Sequence, residues 1–216
     1  LHFDTLMIRR VVGAQSLEDA FVRRVHDMTE RAMESSLPLG ETVARLGRAN
    51  RAHYIYLASD DREELVGYAL NEIYAAEILG GGPVKINYFC SAFLLHDLRR
   101  RYSIYRMLAP MRLAGDEQVL ILRTQSPLPM VAFRRLCRAE NFHLYSSMDS
   151  DIPRVVRDVV AHRFGGPELV HRAVYPTRVS PPLASHDAEA TRLMGLIDAE
   201  RGDALVLVGV ADGLVT

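Results

Sequence analysis

The densest grouping of side chains able to do chemistry is Arg99-Arg100-Arg101-Tyr102-Ser103-Ile104-Tyr105-Arg106. It follows a long apolar run, residues 84–95. It opens a segment in which Ile104, Met107, Leu108 and Met111 recur at helical spacing, with Gly115 as the stop. A helix start presents unpaired backbone N–H groups and the positive end of the helix dipole. Arginines beside it add charge-assisted donors that can grip an anion with two bonds at once. Strand, Arg-rich turn and helix therefore suit a phosphate or pyrophosphate. The same stretch also reads as a solvated charge run at a helix start. Cys90 and Cys137 stand far apart in apolar segments without metal-ligand spacing, and the sequence holds no Gly-x-Ser-x-Gly nucleophile motif.

The elements that must position this stretch can be read along the chain. Residues 7–12 form a first strand, and Ser16 caps a helix through about residue 35, with Asp19 as an approximate capping-box partner. A second helix is expected from 39 or 41 to 50. Residues 52–59 and 65–74 form a hairpin across the charged turn 60–64. Gly80-Gly81-Gly82-Pro83 is a loop, and 84–95 a central strand buried on both faces. Residues 119–123 form another buried strand, 130–140 a helix and 142–145 a short strand. Helices at 152–164 and 187–199 and a last strand at 204–210 complete the chain. Tyr54, Tyr56, Tyr68, Tyr74 and Tyr88 recur in strand fashion and read as core. Strands alternating with helices define an α/β (α+β) layer fold with a mixed sheet.

Composition narrows the function. The 216 residues are 49% hydrophobic and 25% charged with a formal net charge of −1, so no global basic field draws the protein to nucleic acid. Apolar runs are too short to cross a bilayer. The chain opens at Leu1, read as a processed, trimmed or disordered start, and lacks the layout of a signal peptide. The expected compartment is the reducing cytoplasm, with no membrane partner.

Several segments resemble the GNAT superfamily of N-acyltransferases. Its members carry Arg or Gln, two free positions, Gly, one free position, then Gly or Ala just after the fourth strand. Arg100-Arg101-Tyr102-Ser103-Ile104-Tyr105 occupies that window, with Arg106-Met107-Leu108 where members often have Arg-Ala-Leu. Leu95-His96-Asp97 stands where many have Val-His-Pro. Arg123-Thr124-Gln125-Ser126-Pro127 is similar to the Thr-x-Asn-Pro segment after the fifth strand, and Asn141-Phe142 to the Gly-Phe that ends the next helix. The likeness spans roughly residues 65–145. It implies a mostly antiparallel central sheet flanked by helices. Residues 1–148 would form the acyltransferase core and 149–216 a C-terminal helix–strand extension packing on the same domain.

The resemblance also implies roles. Backbone groups of Phe93 and Leu95 would hydrogen-bond the acyl carbonyl and pantetheine arm of acetyl-CoA or another acyl-CoA. Arg100, Arg101, Ser103, Ile104, Tyr105 and Arg106 would hold the pyrophosphate. Ser126 would stand for the Asn that contacts the cofactor. Cys137 lies where many members place a Tyr that protonates the departing thiolate, and it also reads as a buried structural Cys. Glu72 is the first choice of base, with His96 and His143 behind it. Each has a plainer reading, as a strand-end charge, a loop cap and an exposed strand position. Ser103 and Tyr105 replace the two loop glycines that let backbone approach phosphate. The implied reaction moves an acyl group, acetyl first, from CoA to a small-molecule amine by direct attack. Alternatives are the same fold with another donor (aminoacyl-tRNA or a carrier-bound acyl group) and a non-catalytic GNAT-like binding module. A homodimer is compatible with the sequence.

Overall fold

The computed structural model describes residues 7–12, 19–33, 39–40, 53–59, 64–78, 82–95, 108, 115–175, 178 and 185–214. The chain is mixed α/β. Among the described residues eight strands form one sheet in the order β1-β2-β3-β4-β5-β8-β6, with β7 also paired to β8. The strands are β1 (Met7–Val12), β2 (His53–Ser59), β3 (Leu65–Glu77), β4 (Pro83–Leu94), β5 (Val119–Thr124), β6 (Phe142–Tyr145), β7 (Val170–His171) and β8 (Ala204–Ala211). The α-helices whose bounds lie within the described residues are α1 (Asp19–Met33), α2 (Pro127–Ala139), α3 (Arg154–Phe164) and α4 (Ala188–Met194). Two compact units are formed: Leu1–Glu72 with Phe89–Leu113, and Ile73–Tyr88 with Ala114–Thr216.

In the first unit β1 pairs antiparallel with β2 and β2 with β3, Met7 opposite Ser59 and His53 opposite Glu72. Leu95 N–H donates to Val66 O at 3.0 Å, and the Phe93 ring stacks on Tyr68 with centroids 5.1 Å apart. Residue numbers rise along one strand as they fall along the other, so β3 and β4 are antiparallel here. α1 exists because Val25, Met28 and Ala32 fall on one face, and all three are buried with Tyr68 and Leu70 of β3. Each such large apolar side chain contributes about 1.5–3 kcal/mol relative to exposure. Asp19 in the first turn and Arg31 in the last complement the helix dipole.

The second unit is built around β8. β5 lies along one edge, with Ile121 opposite Val208. β6 and β7 share the other, with Leu144 opposite Gly209 and Val170 opposite Leu205. All these pairings are antiparallel. Val119, Leu120, Ile121, Val206, Val208 and Val210 are each fully buried, as the continuous apolar runs require. Thus the last strand, beyond residue 148, inserts between β5 and β6. From its neighbour β6 the chain reaches β8 only after the excursion 146–203, which carries α3, β7 and α4.

Local chemistry sets the ends. α2 has Ser126 as N-cap and Pro127 just inside, where the missing N–H costs nothing. It stops before Asn141, whose φ of 57° is left-handed. Asn tolerates that region, which is how it stands in for Gly in the Gly-Phe pattern. α3 stops at Gly165, whose N–H returns to Ala161 O at 2.8 Å. The helix expected over 187–199 is shorter. α4 starts on the Asp187 cap and ends at Met194, and the Asp198 side chain then accepts from Glu200 N and Arg201 N to begin a 3₁₀ turn, Ala199–Arg201. Competing side-chain acceptance of this kind breaks helices. The helix expected near 39–50 is helical at 39–40 and otherwise outside the described residues, as is the Ser16 cap. Of the helix after the arginines only Leu108 is described, helical and fully buried. No helix among the described residues is long and apolar enough to cross a membrane.

Candidate active site

His96, Arg100, Arg101, Ser103, Ile104, Tyr105 and Arg106 lie outside the described residues. The remaining expected site residues divide between the two units and are placed by different elements.

In the first unit Glu72 is half-buried near the middle of β3, and Phe93 and Leu95 stand at the end of β4. Leu95 N–H is committed to Val66 O. A β-carbon on Gly67 would lie 2.6 Å from the Phe93 carbonyl oxygen, so that carbonyl is turned to β3 and only glycine fits opposite it. Of the groups expected to meet a ligand, the Leu95 N–H and the Phe93 carbonyl thus face β3. Peptide groups alternate in direction along a strand, so the neighbouring Ala92 faces the opposite edge. Both side chains, Phe93 and Leu95, pack with Cys90 against the α1 cluster.

In the second unit Ser126 follows β5 directly. Its N–H donates to Thr124 Oγ1 at 2.9 Å, and that hydroxyl donates back to Ser126 O at 3.1 Å. This tight turn sets the start of α2. Ser126 is 6% exposed, and its Oγ makes no hydrogen bond among the described residues. An unpaired buried hydroxyl costs free energy, and one at a helix start is suited to meet an added polar group. Cys137 is 1% exposed, and a β-carbon on Gly209 would lie 2.7 Å from its Sγ. The thiol is thus wedged between α2 and β8. An acid that protonates a leaving thiolate must reach the reacting sulfur, and the position of Cys137 suits the packing role that its sequence also allowed. His143 is exposed, its Nε2 3.0 Å from Asp212 Oδ1, at the edge strand β6.

The second unit also holds a grouping that sequence spacing did not reveal. Arg163 at the end of α3 lies over the rings of Tyr88 at 4.4 Å and Tyr74 at 5.6 Å. Arg123 at the end of β5 lies over Phe164 at 5.0 Å and Tyr175 at 5.3 Å. His162 stacks on Tyr74, and His171 meets the Phe164 ring edge-on at 4.7 Å. His171 Nε2 is 3.0 Å from Glu168 O. Burial, and then the Arg123 charge, hold the His171 imidazole below its ordinary range. Tyr74 and Tyr88 were legible as strand aromatics. Their arginine partners come from distant segments, which no periodicity connects.

No family model matches the sequence, and no curated protein matches it. The fold does have relatives among solved structures. NAA60 of Arabidopsis thaliana, crystallised with a bisubstrate analogue, aligns over 97% of this chain and 99% of its own at 11% identity and a TM-score of 0.51. A protein assigned as a phosphinothricin N-acetyltransferase aligns over 96% and 99% at 12% identity, also with a TM-score of 0.51. The strands and helices described above therefore make a GNAT-type acetyltransferase fold.

Proposed function

We propose that this chain is an acyl-CoA-dependent N-acyltransferase. What carries the reading is the coincidence of fold and motif order: the arginine-rich segment follows β4 within a few residues, and the Thr124–Pro127 turn follows β5 directly. The neighbour crystallised with a bisubstrate analogue supports transfer between two bound substrates, the neighbour assigned as an N-acetyltransferase supports an amine acceptor, and acetyl-CoA is the donor proposed.

In this reading Arg100, Arg101 and Arg106 neutralise the pyrophosphate, with backbone groups of Ser103, Ile104 and Tyr105 completing the cradle. The unpaired Ser126 hydroxyl is supplied with a partner by the cofactor. Outward peptide groups of β4, Ala92's among them, take the role first given to Phe93 and Leu95, holding the thioester carbonyl with fixed dipoles. The neutral amine attacks the carbonyl carbon, the C–S bond breaks, and the amine proton passes to a base. Half-buried Glu72 is the proposed base, with His96 as the alternative. The departing thiolate needs no dedicated protein acid, since a thiol with a reference pKa of about 8.5 takes a proton from water near neutral pH. The acceptor is a small-molecule amine and the compartment the cytoplasm.

The test is product formation. Purified protein, acetyl-CoA and a mixed amine library should give mass-shifted N-acetyl products and stoichiometric free CoA thiol. Glu72→Gln should lower kcat by about 10²-fold or more, the scale of a lost general base, with KM for acetyl-CoA unchanged. Thiol release at one rate with and without amines would contradict transfer.

A further inference from the structure

We propose that the Ser126 hydroxyl and the start of α2 together stabilise the thioester sulfur as it leaves, the one as a hydrogen-bond donor and the other as a positive helix end. The proposal rests on the acyltransferase reading and names the group of this chain that meets the leaving atom. An N-cap serine normally accepts from the N–H of the second or third helical residue. Here the third is Pro129, which has no N–H, and the bond to the second, Leu128, is not made. The backbone of Ser126 is held instead by Thr124, whose hydroxyl accepts from its N–H and donates to its carbonyl. The residue is thus fixed, while its Oγ has no partner among the described residues in a position only 6% exposed. Capping does not explain this serine.

The turn suits a small anion. Pro127 and Pro129 leave Leu128 with the one backbone N–H among the first three helical residues, so α2 cannot surround a phosphate as a run of free N–H groups does. No acidic side chain stands in its first turn, and its own helix leaves the positive end of the dipole uncompensated. A hydroxyl donor, a single N–H and a positive helix end match one atom that carries one charge. Acyl transfer develops negative charge at two atoms, the thioester carbonyl oxygen and the sulfur, and the outward peptide groups of β4 are proposed for the first. As the amine nitrogen bonds to the carbonyl carbon, the C–S bond breaks and its electron pair stays on sulfur. Ser126 Oγ–H donates to that sulfur and keeps its proton. The amine proton goes to the base, which returns it to solvent, and the thiolate takes a proton from water after release.

Calorimetry on the full chain with CoA, acetyl-CoA and dethio-CoA (hydrogen in place of the thiol) tests this. A free thiol ionises at about 8.5. A site that favours the thiolate lowers that value for bound CoA, so binding releases a proton and tightens as pH rises between the bound and free values. Relative to dethio-CoA, the affinity of wild type for CoA should therefore rise about fivefold or more from about pH 6.5 to about pH 9, the scale of a hydrogen bond to a charged group. In Ser126→Ala the rise should vanish, with acetyl-CoA still bound. Its Tm should stay at or above wild type, because the change removes an unpaired buried hydroxyl. Ser126→Gly serves where that variant does not fold. With acetyl-CoA binding intact, a wild-type ratio that does not rise, or a rise that survives in the variants, would overturn the proposal alone. Failure of wild type to bind acetyl-CoA rejects the reading beneath it.

Discussion

At position 209 a side chain of any size meets the core. A β-carbon there would lie 2.7 Å from Cys137 Sγ, 3.4 Å from Phe142 Cβ and 3.5 Å from Leu120 Cβ. The first distance is shorter than real contacts allow, so α2 must shift away from β8. Gly209→Ala should therefore destabilise the protein by about 1–3 kcal/mol, as overpacked cores do. Cys137→Ala removes the clashing sulfur, and the double variant should lose less than the two singles added together. Urea denaturation of the four proteins decides it, and strict additivity would show that the sulfur is not what fills the space. Cys137→Ser should in turn cost about 1–3 kcal/mol through a poorly paired buried hydroxyl, with specific activity unchanged. From sequence alone Cys137 could be placed on a helix but not against Gly209, because that contact joins elements far apart in the chain. Asn141 was easier to read. Its local pattern fixed its position at the helix end, and the structure adds its left-handed backbone.

At the scale of elements, the start of β8 is held by one carboxylate. Asp203 Oδ2 accepts from Arg172 Nη1 at 2.6 Å and Asp198 N at 3.1 Å, and Oδ1 from Ala173 N at 3.0 Å. Its backbone carbonyl accepts from the buried Gln125 side chain at 2.8 Å. Arg172 first, then the two backbone donors, lowers the Asp203 carboxyl from 3.8 to about 2. A depressed folded value means that the unfolded chain binds the proton more readily. The resulting stabilisation is present above the ordinary carboxylate value and is lost as pH falls from 3.8 through about 2. Asp203→Asn should lower Tm at neutral pH and converge on wild type as pH drops through that window. Parallel Tm curves would show that the carboxylate does not hold the turn. The last strand expected at 204–210 located the boundary but not the partners of Asp203, which come from the excursion. Similarly, the apolar pattern located α4 and overran it, because the acceptor that ends the run, Asp198, competes through a side chain rather than through hydropathy. β7 escaped notice since two residues carry no period.

On the scale of the whole molecule, strand order and motif order agree. Buried runs identified β4, β5 and β8, and helical spacing identified α1, α2 and α3, because burial on one face or two dictates those patterns. Where the sheet places β8 was not legible, since pairing between distant segments depends on closure of the whole core. Nor was the direction of β4's peptide groups, which one residue of register decides. The central claim is that this fold, with arginines after β4 and the Ser126 turn after β5, binds acyl-CoA despite Ser103 and Tyr105 in place of glycines. Titration calorimetry of the full chain with acetyl-CoA tests it most directly. The account predicts one saturable site per chain, weakened by roughly 1.5–3 kcal/mol, or about 10- to 150-fold, in Arg100→Ala at unchanged Tm. No saturable binding of acetyl-CoA at millimolar concentration, in protein with a cooperative melt, would contradict it.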